Sequence, residues 1–121
     1  MKYMLMLRFE PGAGPEPGAP GFDEEMARWA ALNEEMQAAG VAIKGVGLDE
    51  EATATTVRER AGEVVLTDGP FAEAKEHLFS FYLIDVADLD AAISWAKKMP
   101  CTTYGSVEVR PLSPVEQDQA G

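Results

Sequence analysis

The sequence has 121 residues, the length of one domain that can bury a sizeable core. Its 21 acidic and 10 basic side chains give a net charge of −11. This balance argues against direct binding to nucleic acid or to an anionic membrane surface, because both need clustered lysine and arginine. A single cysteine excludes an internal disulfide, and the apolar run near the N-terminus is too short for a signal peptide or a membrane span. We therefore expect a cytoplasmic protein.

The first third of the chain predicts a strand, a loop and a helix. Apolar side chains alternate along residues 2–9, which is typical of a strand with one buried face. Residues 10–21 contain four prolines and four glycines and predict an irregular loop, either a flexible connector or a lid over a site. A helix is predicted from Phe22 or Asp23 to Ala39, because its apolar residues recur every three or four positions and Gly40 follows.

The remainder of the chain predicts a hairpin between the main elements. A second strand is expected at 41–48, and the segments 53–58 and 63–67 predict a hairpin that turns near Ala61 and Gly62. Asp68-Gly69-Pro70 predicts a tight turn, with Pro70 opening a short helix. A buried strand is expected at 78–86, a helix capped by Asp88 and ended by Pro100, a last strand at 105–110 and a polar, frayed tail at 113–121.

The order β-α-β-(hairpin)-β-α-β is that of the ferredoxin-like split βαβ pattern. We therefore predict one α+β domain over residues 1–112, in which two helices cover one face of an antiparallel sheet. The other face, called the open face below, carries Met4, Met6 and Arg8 of the first strand. Because this face is largely apolar, we predict that two copies of the chain pair through it.

Several blocks of sequence resemble the DGPF-domain proteins of the YCII-related family. They are the segment from Thr67 to Glu76 (TDGPFAEAKE), the strand Phe81–Val86 (FYLIDV), the opening MKYML and the closing GSVEVRP. The resemblance implies a dimeric α/β-barrel arrangement with two sheets facing each other across a homodimer. It also implies a possible regulatory role, because DGPF proteins are often encoded beside, or fused to, extracytoplasmic-function sigma factors.

The resemblance gives no complete set of catalytic residues. YCII-type proteins are thought to use a histidine on the first helix with an aspartate just after the second. This chain has neither residue, and His77 stands where DGPF sequences commonly carry glutamine. One histidine and one cysteine make no histidine- or thiolate-rich metal site, and no nucleotide-binding or serine-hydrolase motif is present. We therefore expect neither a metal nor a cofactor.

Asp68 and His77 are the candidate catalytic residues. Asp68 either accepts hydrogen bonds from the backbone of its turn or serves a site as well. His77 is the one side chain that ordinarily titrates near neutral pH; it is either a general base or a surface histidine at a strand end. Cys101 would act as a nucleophile only with a neighbouring base, and the sequence around it supplies none.

Strand alternation predicts a binding site on the open face. If Phe81 and Leu83 face the helices, five polar side chains converge on the open face: Arg8, Ser80, Tyr82, Glu108 and Arg110. The two arginines would favour a small anionic ligand. The alternative is that Arg8 and Glu108 form a cross-strand pair that a second subunit buries.

The sequence thus leaves three functions open. The first is a homodimeric small-molecule-binding protein or enzyme with a cleft on the open face. The second is a regulatory module that partners a sigma factor, and the third is a purely structural homodimer.

Overall fold

The structure is a computed structural model that describes residues 1–69 and 75–119. Four antiparallel strands form the main sheet: β1 (Lys2–Phe9), β2 (Ala42–Gly47), β5 (His77–Asp85) and β6 (Gly105–Pro111). Their order across the sheet is β2-β5-β1-β6. Helices and an antiparallel sheet in one chain make this an α+β fold, as predicted.

Two helices pack against one face of this sheet. Helix α1 runs from Phe22 to Ala38 and helix α2 from Leu89 to Ala96. The predicted cap of α2 is confirmed, because Asp88 Oδ1 accepts a hydrogen bond of 2.9 Å from the amide of Ala91. Pro100 does not simply end α2; it opens a 3₁₀ turn, Pro100–Thr103, that leads into β6.

The core lies between the sheet and the two helices. Tyr3, Leu5 and Leu7 of β1 are at most 5% exposed, which confirms the predicted buried face of this strand. The helices and the segment after them contribute Leu32, Met36, Ala92, Ala96 and Met99 to the same cluster. The helix-covered side of the sheet therefore holds the hydrophobic core.

The predicted hairpin forms a separate two-stranded sheet. It consists of β3 (Thr55–Arg60) and β4 (Glu63–Asp68). Ala61 and Gly62 both have positive φ, 53° and 79°, as a two-residue turn with the twist of a hairpin requires. A 3₁₀ turn, Glu51–Thr53, precedes β3 and contacts β5 of the main sheet.

The C-terminal segment contains a short helix that the sequence did not predict. Residues 113–121, expected as a frayed tail, include the short helix α3 (Pro114–Gln117). The Gln117 side chain holds it against β1, accepting from the amide of Lys2 at 2.7 Å and donating to the carbonyl of Lys2 at 2.9 Å. The short helix expected from Pro70 lies outside the described residues.

Candidate ligand-binding site

A cavity of about 660 Å³ opens on the helix-covered side of the sheet, where β1 ends and β5 begins. The first half of α1, the 10–21 loop and the 3₁₀ turn at Glu51 form its other walls. Large apolar side chains line much of it: Leu7, Phe9, Met26, Trp29, Phe79 and Tyr104. A volume in this range, with mostly apolar walls, is typical of small-molecule sites.

A β-bulge turns His77 into this cavity. Leu7 pairs with Ser80, but the next residue, Arg8, pairs with Leu78, so Phe79 is an extra residue in β5. Phe9 then pairs with His77, and residues paired across a sheet share a face. Without the extra residue, the alternation of β5 would place His77 on the opposite face from Ser80.

His77 has a carboxylate partner that the sequence did not reveal. Its Nδ1 forms an ion-pair contact with Oε2 of Glu51, and both side chains are largely buried, at 22% and 17% exposure. Nδ1 is buried, and no described residue, Glu51 included, meets the geometry of a hydrogen bond with it. The sequence separation of this pair explains why no partner for His77 was predicted, since the hairpin lies between the two residues.

Tyr104 forms a second polar contact in the cavity. Its hydroxyl donates a hydrogen bond of 2.9 Å to Oε2 of the buried Glu25 on α1. Burial raises the pKa of Tyr104 well above its ordinary value, and the hydrogen bond to the Glu25 carboxylate raises it further. The 10–21 loop lies against the same ring, because a Cβ atom on Gly14 would be 2.8 Å from the ring carbon Cζ of Tyr104.

A second cavity, of about 410 Å³, lies between α1 and strands β2 and β5. Tyr82 lines it and donates a hydrogen bond of 3.1 Å to Oδ1 of Asn33. Burial raises the pKa of Tyr82, although the hydrogen bond to Asn33 acts in the opposite direction. Ser80 lines both cavities.

The predicted placement of Ser80 and Tyr82 on the open face is therefore wrong. Tyr82 pairs with the fully buried Leu5, and Ser80 pairs with Leu7, so both point to the helices. The apolar residues expected there, Phe81 and Leu83, instead share the open face with Met6 and Met4. Alternation alone could not decide this, because β5 is apolar on both faces.

The other three predicted binding residues do come together on the open face. Arg8 Nη1 donates to Glu108 Oε1 at 2.7 Å, and Arg110 Nε lies 3.6 Å from Glu108 Oε2. None of the three lines either cavity. The structure thus divides the predicted set between the two faces of the sheet, and whether Arg8, Glu108 and Arg110 bind a ligand stays a prediction.

Asp68 lies away from both cavities. It is the exposed last residue of β4. Gly69, which follows it with a φ of 100°, is held by two hydrogen bonds of 2.7 Å: its amide donates to the carbonyl of Ala54, and its carbonyl accepts from the hydroxyl of Thr56. Part of the backbone just ahead of Asp68, residues 70–74, is outside the described residues, so its proposed roles in capping and catalysis stay predictions.

Cys101 has the properties of a core residue. It is 0% exposed, and burial raises its pKa from the ordinary thiol value to about 11. The thiol is therefore protonated at neutral pH, whereas a nucleophilic cysteine needs its thiolate.

The described residues offer neither a metal site nor a membrane-spanning helix. Over residues 1–69 and 75–119, no group of three or more histidine, cysteine, aspartate or glutamate side chains is placed to hold a metal ion. Within the same ranges, no helix is long and apolar enough to cross a membrane.

Comparison with known proteins identifies the family. A model of the YCII-related domain matches residues 1–116. The chain belongs to the YCII-related family. An uncharacterised protein of Rhizobium meliloti (strain 1021) is 53% identical over 64 residues, and the aligned region is 50% of each chain. The chain thus spans about half the length of this curated relative of the same family.

A solved structure shares the fold of this chain. It is the 5-chloro-2-hydroxyhydroquinone dehydrochlorinase TftG from Burkholderia phenoliruptrix AC1100, in complex with 2,5-dihydroxybenzoquinone. The superposition has a TM-score of 0.50 and covers 98% of this chain and 100% of TftG, at 13% sequence identity. At this identity the comparison supports the α+β fold and does not transfer individual residues.

Proposed function

We propose that this YCII-related protein binds a small organic molecule in the 660 Å³ cavity and that His77 and Glu51 move a proton there. The observation that carries the proposal is the position of the chain's one histidine. It lies in an aromatic-walled cavity, against a carboxylate that is itself largely buried. A paired histidine in a concave, mostly apolar site is a frequent arrangement for general acid–base chemistry.

The geometry of the pair assigns a role to each group. Glu51 contacts Nδ1 of His77, so it orients the ring and favours a proton on that nitrogen. Nε2 is then the ring nitrogen that exchanges a proton with a bound molecule. In this scheme Glu51 is a positioning residue and His77 is the general acid or base.

The fold-level comparison is consistent with a small-molecule site. TftG is named as an enzyme that acts on a hydroxylated, chlorinated ring, and its structure holds a small quinone. This is an analogy of fold, and it supports only the general class of ligand.

A fragment screen tests the location of the site. Aromatic fragments that stabilise the protein in thermal unfolding should shift the NMR signals of the Trp29 indole and the His77 ring. In the control variant Arg8→Met, the same fragments should shift these signals equally, because Arg8 lies on the open face. Fragments that instead shift the NMR signals of Arg8, Glu108 and Arg110 would place the site on the open face and contradict the proposal.

Two substitutions test the proton transfer once a substrate is found. His77→Gln keeps a similar shape and should abolish turnover while ligand affinity changes little. Glu51→Gln should lower kcat by less and change the pH profile, because it removes the group that orients the ring. Equal losses of binding and turnover in both variants would mean that the pair only shapes the cavity.

The homodimer and its ferredoxin-like arrangement remain part of the proposal. The strand order β2-β5-β1-β6, with helices between strands on one face, supports this topology. The open face supports pairing of two copies, since it carries five partly exposed apolar side chains: Met4, Met6, Leu78, Phe81 and Leu83. The cleft predicted there would lie between two chains. A mass near that of one chain in light scattering, across micromolar concentrations, would contradict the dimer.

The remaining sequence-based expectations stay predictions. No observation on this chain favours partnership with a sigma factor, which gene neighbourhood would test. Three further expectations also stay predictions: the assignment to the DGPF branch, the cytoplasmic location and an anionic ligand on the open face.

A further inference from the structure

The charged groups that line the 660 Å³ cavity are of one sign. Four carboxylates belong to its wall: Glu16 in the loop, Glu25 on α1, and Glu50 and Glu51 before the hairpin. Among the described lining residues there is no lysine or arginine. His77 is the one group there that can carry a positive charge, and Glu51 already contacts it.

One of these carboxylates, Glu25, also affects two neighbouring side chains. Besides burial, the charge of Glu25 raises the pKa of both Tyr104 and Cys101. Arg28 acts in the opposite direction on Tyr104, but it does not line the cavity. The negative charge of the wall is therefore not confined to the exposed Glu16 and Glu50, because Glu25 is buried against Tyr104.

The apolar part of the wall is aromatic. Phe9 and Phe79 stack with their ring centroids 3.9 Å apart, and Tyr104 meets Phe9 edge-on at 5.4 Å. Trp29 of α1 completes this aromatic surface. Aromatic faces attract cations, and they do so most strongly where water is excluded.

We infer that the ligand of this cavity is a small organic cation, an amine or quaternary ammonium group carried on a flat apolar body. The inference rests on the proposed function, because it specifies the ligand of the same cavity. Its apolar body packs against the aromatic side chains, and its positive charge lies among the four carboxylates of the wall. An anion of the same shape would meet four carboxylates and no lysine or arginine among the described lining residues, and the one possible cation, His77, is already in contact with Glu51.

Three probes of similar size and different charge test the inference: benzyltrimethylammonium, benzyl alcohol and phenylacetate. Binding is measured by titration of the Trp29 indole and His77 ring signals. We expect the cation to bind about ten-fold tighter than the alcohol, and phenylacetate to bind more weakly than either. Equal affinities, or tighter binding of phenylacetate at the same signals, would overturn the inference while leaving the cavity as a binding site. If no probe shifts these signals at millimolar concentration, the inference fails, and the fragment screen decides separately whether the cavity binds any small molecule.

A charge-matched pair of variants separates local from overall electrostatics. Glu16→Gln with Glu50→Gln removes two charges from the cavity wall and should weaken benzyltrimethylammonium binding about two- to five-fold, with little effect on benzyl alcohol. Glu34→Gln with Asp118→Asn removes two exposed charges that do not line the cavity. Equal weakening by both pairs would show that only the net charge of the protein attracts the cation, and it would overturn the inference.

Discussion

The two faces of the main sheet use the same strands in different ways. On the helix-covered face, β1 buries Tyr3, Leu5 and Leu7, and the cavity beyond its end holds the His77–Glu51 and Tyr104–Glu25 contacts. On the open face, Arg8 and Glu108 pair with side-chain exposures of 31% and 44%. The difference shows that the surroundings of a polar side chain on a strand decide whether it can take part in chemistry. Only the helix-covered face shields its charged groups from water.

The first and largest expected effect concerns the buried face. Leu5→Ala removes a side chain that is 0% exposed and should lower the free energy of unfolding by about 2–5 kcal/mol. Met6→Ala, its neighbour on the open face, should cost under about 1 kcal/mol in the isolated chain. Urea unfolding measures both values. A cost for Met6→Ala that grows with protein concentration would show that a second copy covers the open face, and equal costs at low concentration would contradict the contrast.

The second prediction uses pH to probe the covered face. The pKa of Cys101 is raised to about 11 in the folded protein. Below pH about 9 the thiol is protonated in both states, so its contribution to stability is fully present. Between pH about 9 and 11 only the unfolded thiol ionises, and stability should fall by about 2 kcal/mol. The free energy of unfolding of Cys101→Ala, measured with urea, should fall less over this interval than that of the unchanged protein. Equal falls in the two proteins would contradict the burial effect.

The third prediction concerns the loop against the cavity. Gly14→Ala places a Cβ atom 2.8 Å from the Tyr104 ring, so the ring or the loop must move. We expect a loss of about 1 kcal/mol in stability, with altered NMR signals for Tyr104. Gly47→Ala is the control, because its Cβ would meet no atom within 4 Å. Unchanged Tyr104 signals in Gly14→Ala would mean that the loop does not rest on this ring in solution.

The smallest expected effect is on the open face. A double-mutant cycle with Arg8→Met and Glu108→Gln should give a coupling energy of about 0.2–1 kcal/mol, because the pair is partly exposed to water. Urea unfolding of the four proteins at low concentration measures it. A coupling above about 2 kcal/mol would show that the pair is buried, as it would be if a second chain covered this face.

The sequence determined the elements and one face of the sheet. Strand β1, helix α1, the hairpin turn at Ala61 and Gly62 and the cap at Asp88 all form where local patterns placed them. These features depend on short-range causes: apolar spacing, positive φ and a side chain that bonds a nearby amide. The Arg8–Glu108 pair was one of the two alternatives predicted for the open face, because β6 alternates clearly and Arg8 stands between the apolar Leu7 and Phe9 in β1.

The tertiary structure alone decided the candidate site. The orientation of Ser80 and Tyr82 depends on the register of β5 against β1, and that of His77 on the bulge at Phe79. Glu51 and Glu25 reach the cavity from segments far away in sequence, and no local pattern marked either residue as functional. The physical reason is that the residue pattern of a strand with two apolar faces does not indicate which face the helices cover. Only the packing of the strand against the helices decides where its polar groups point.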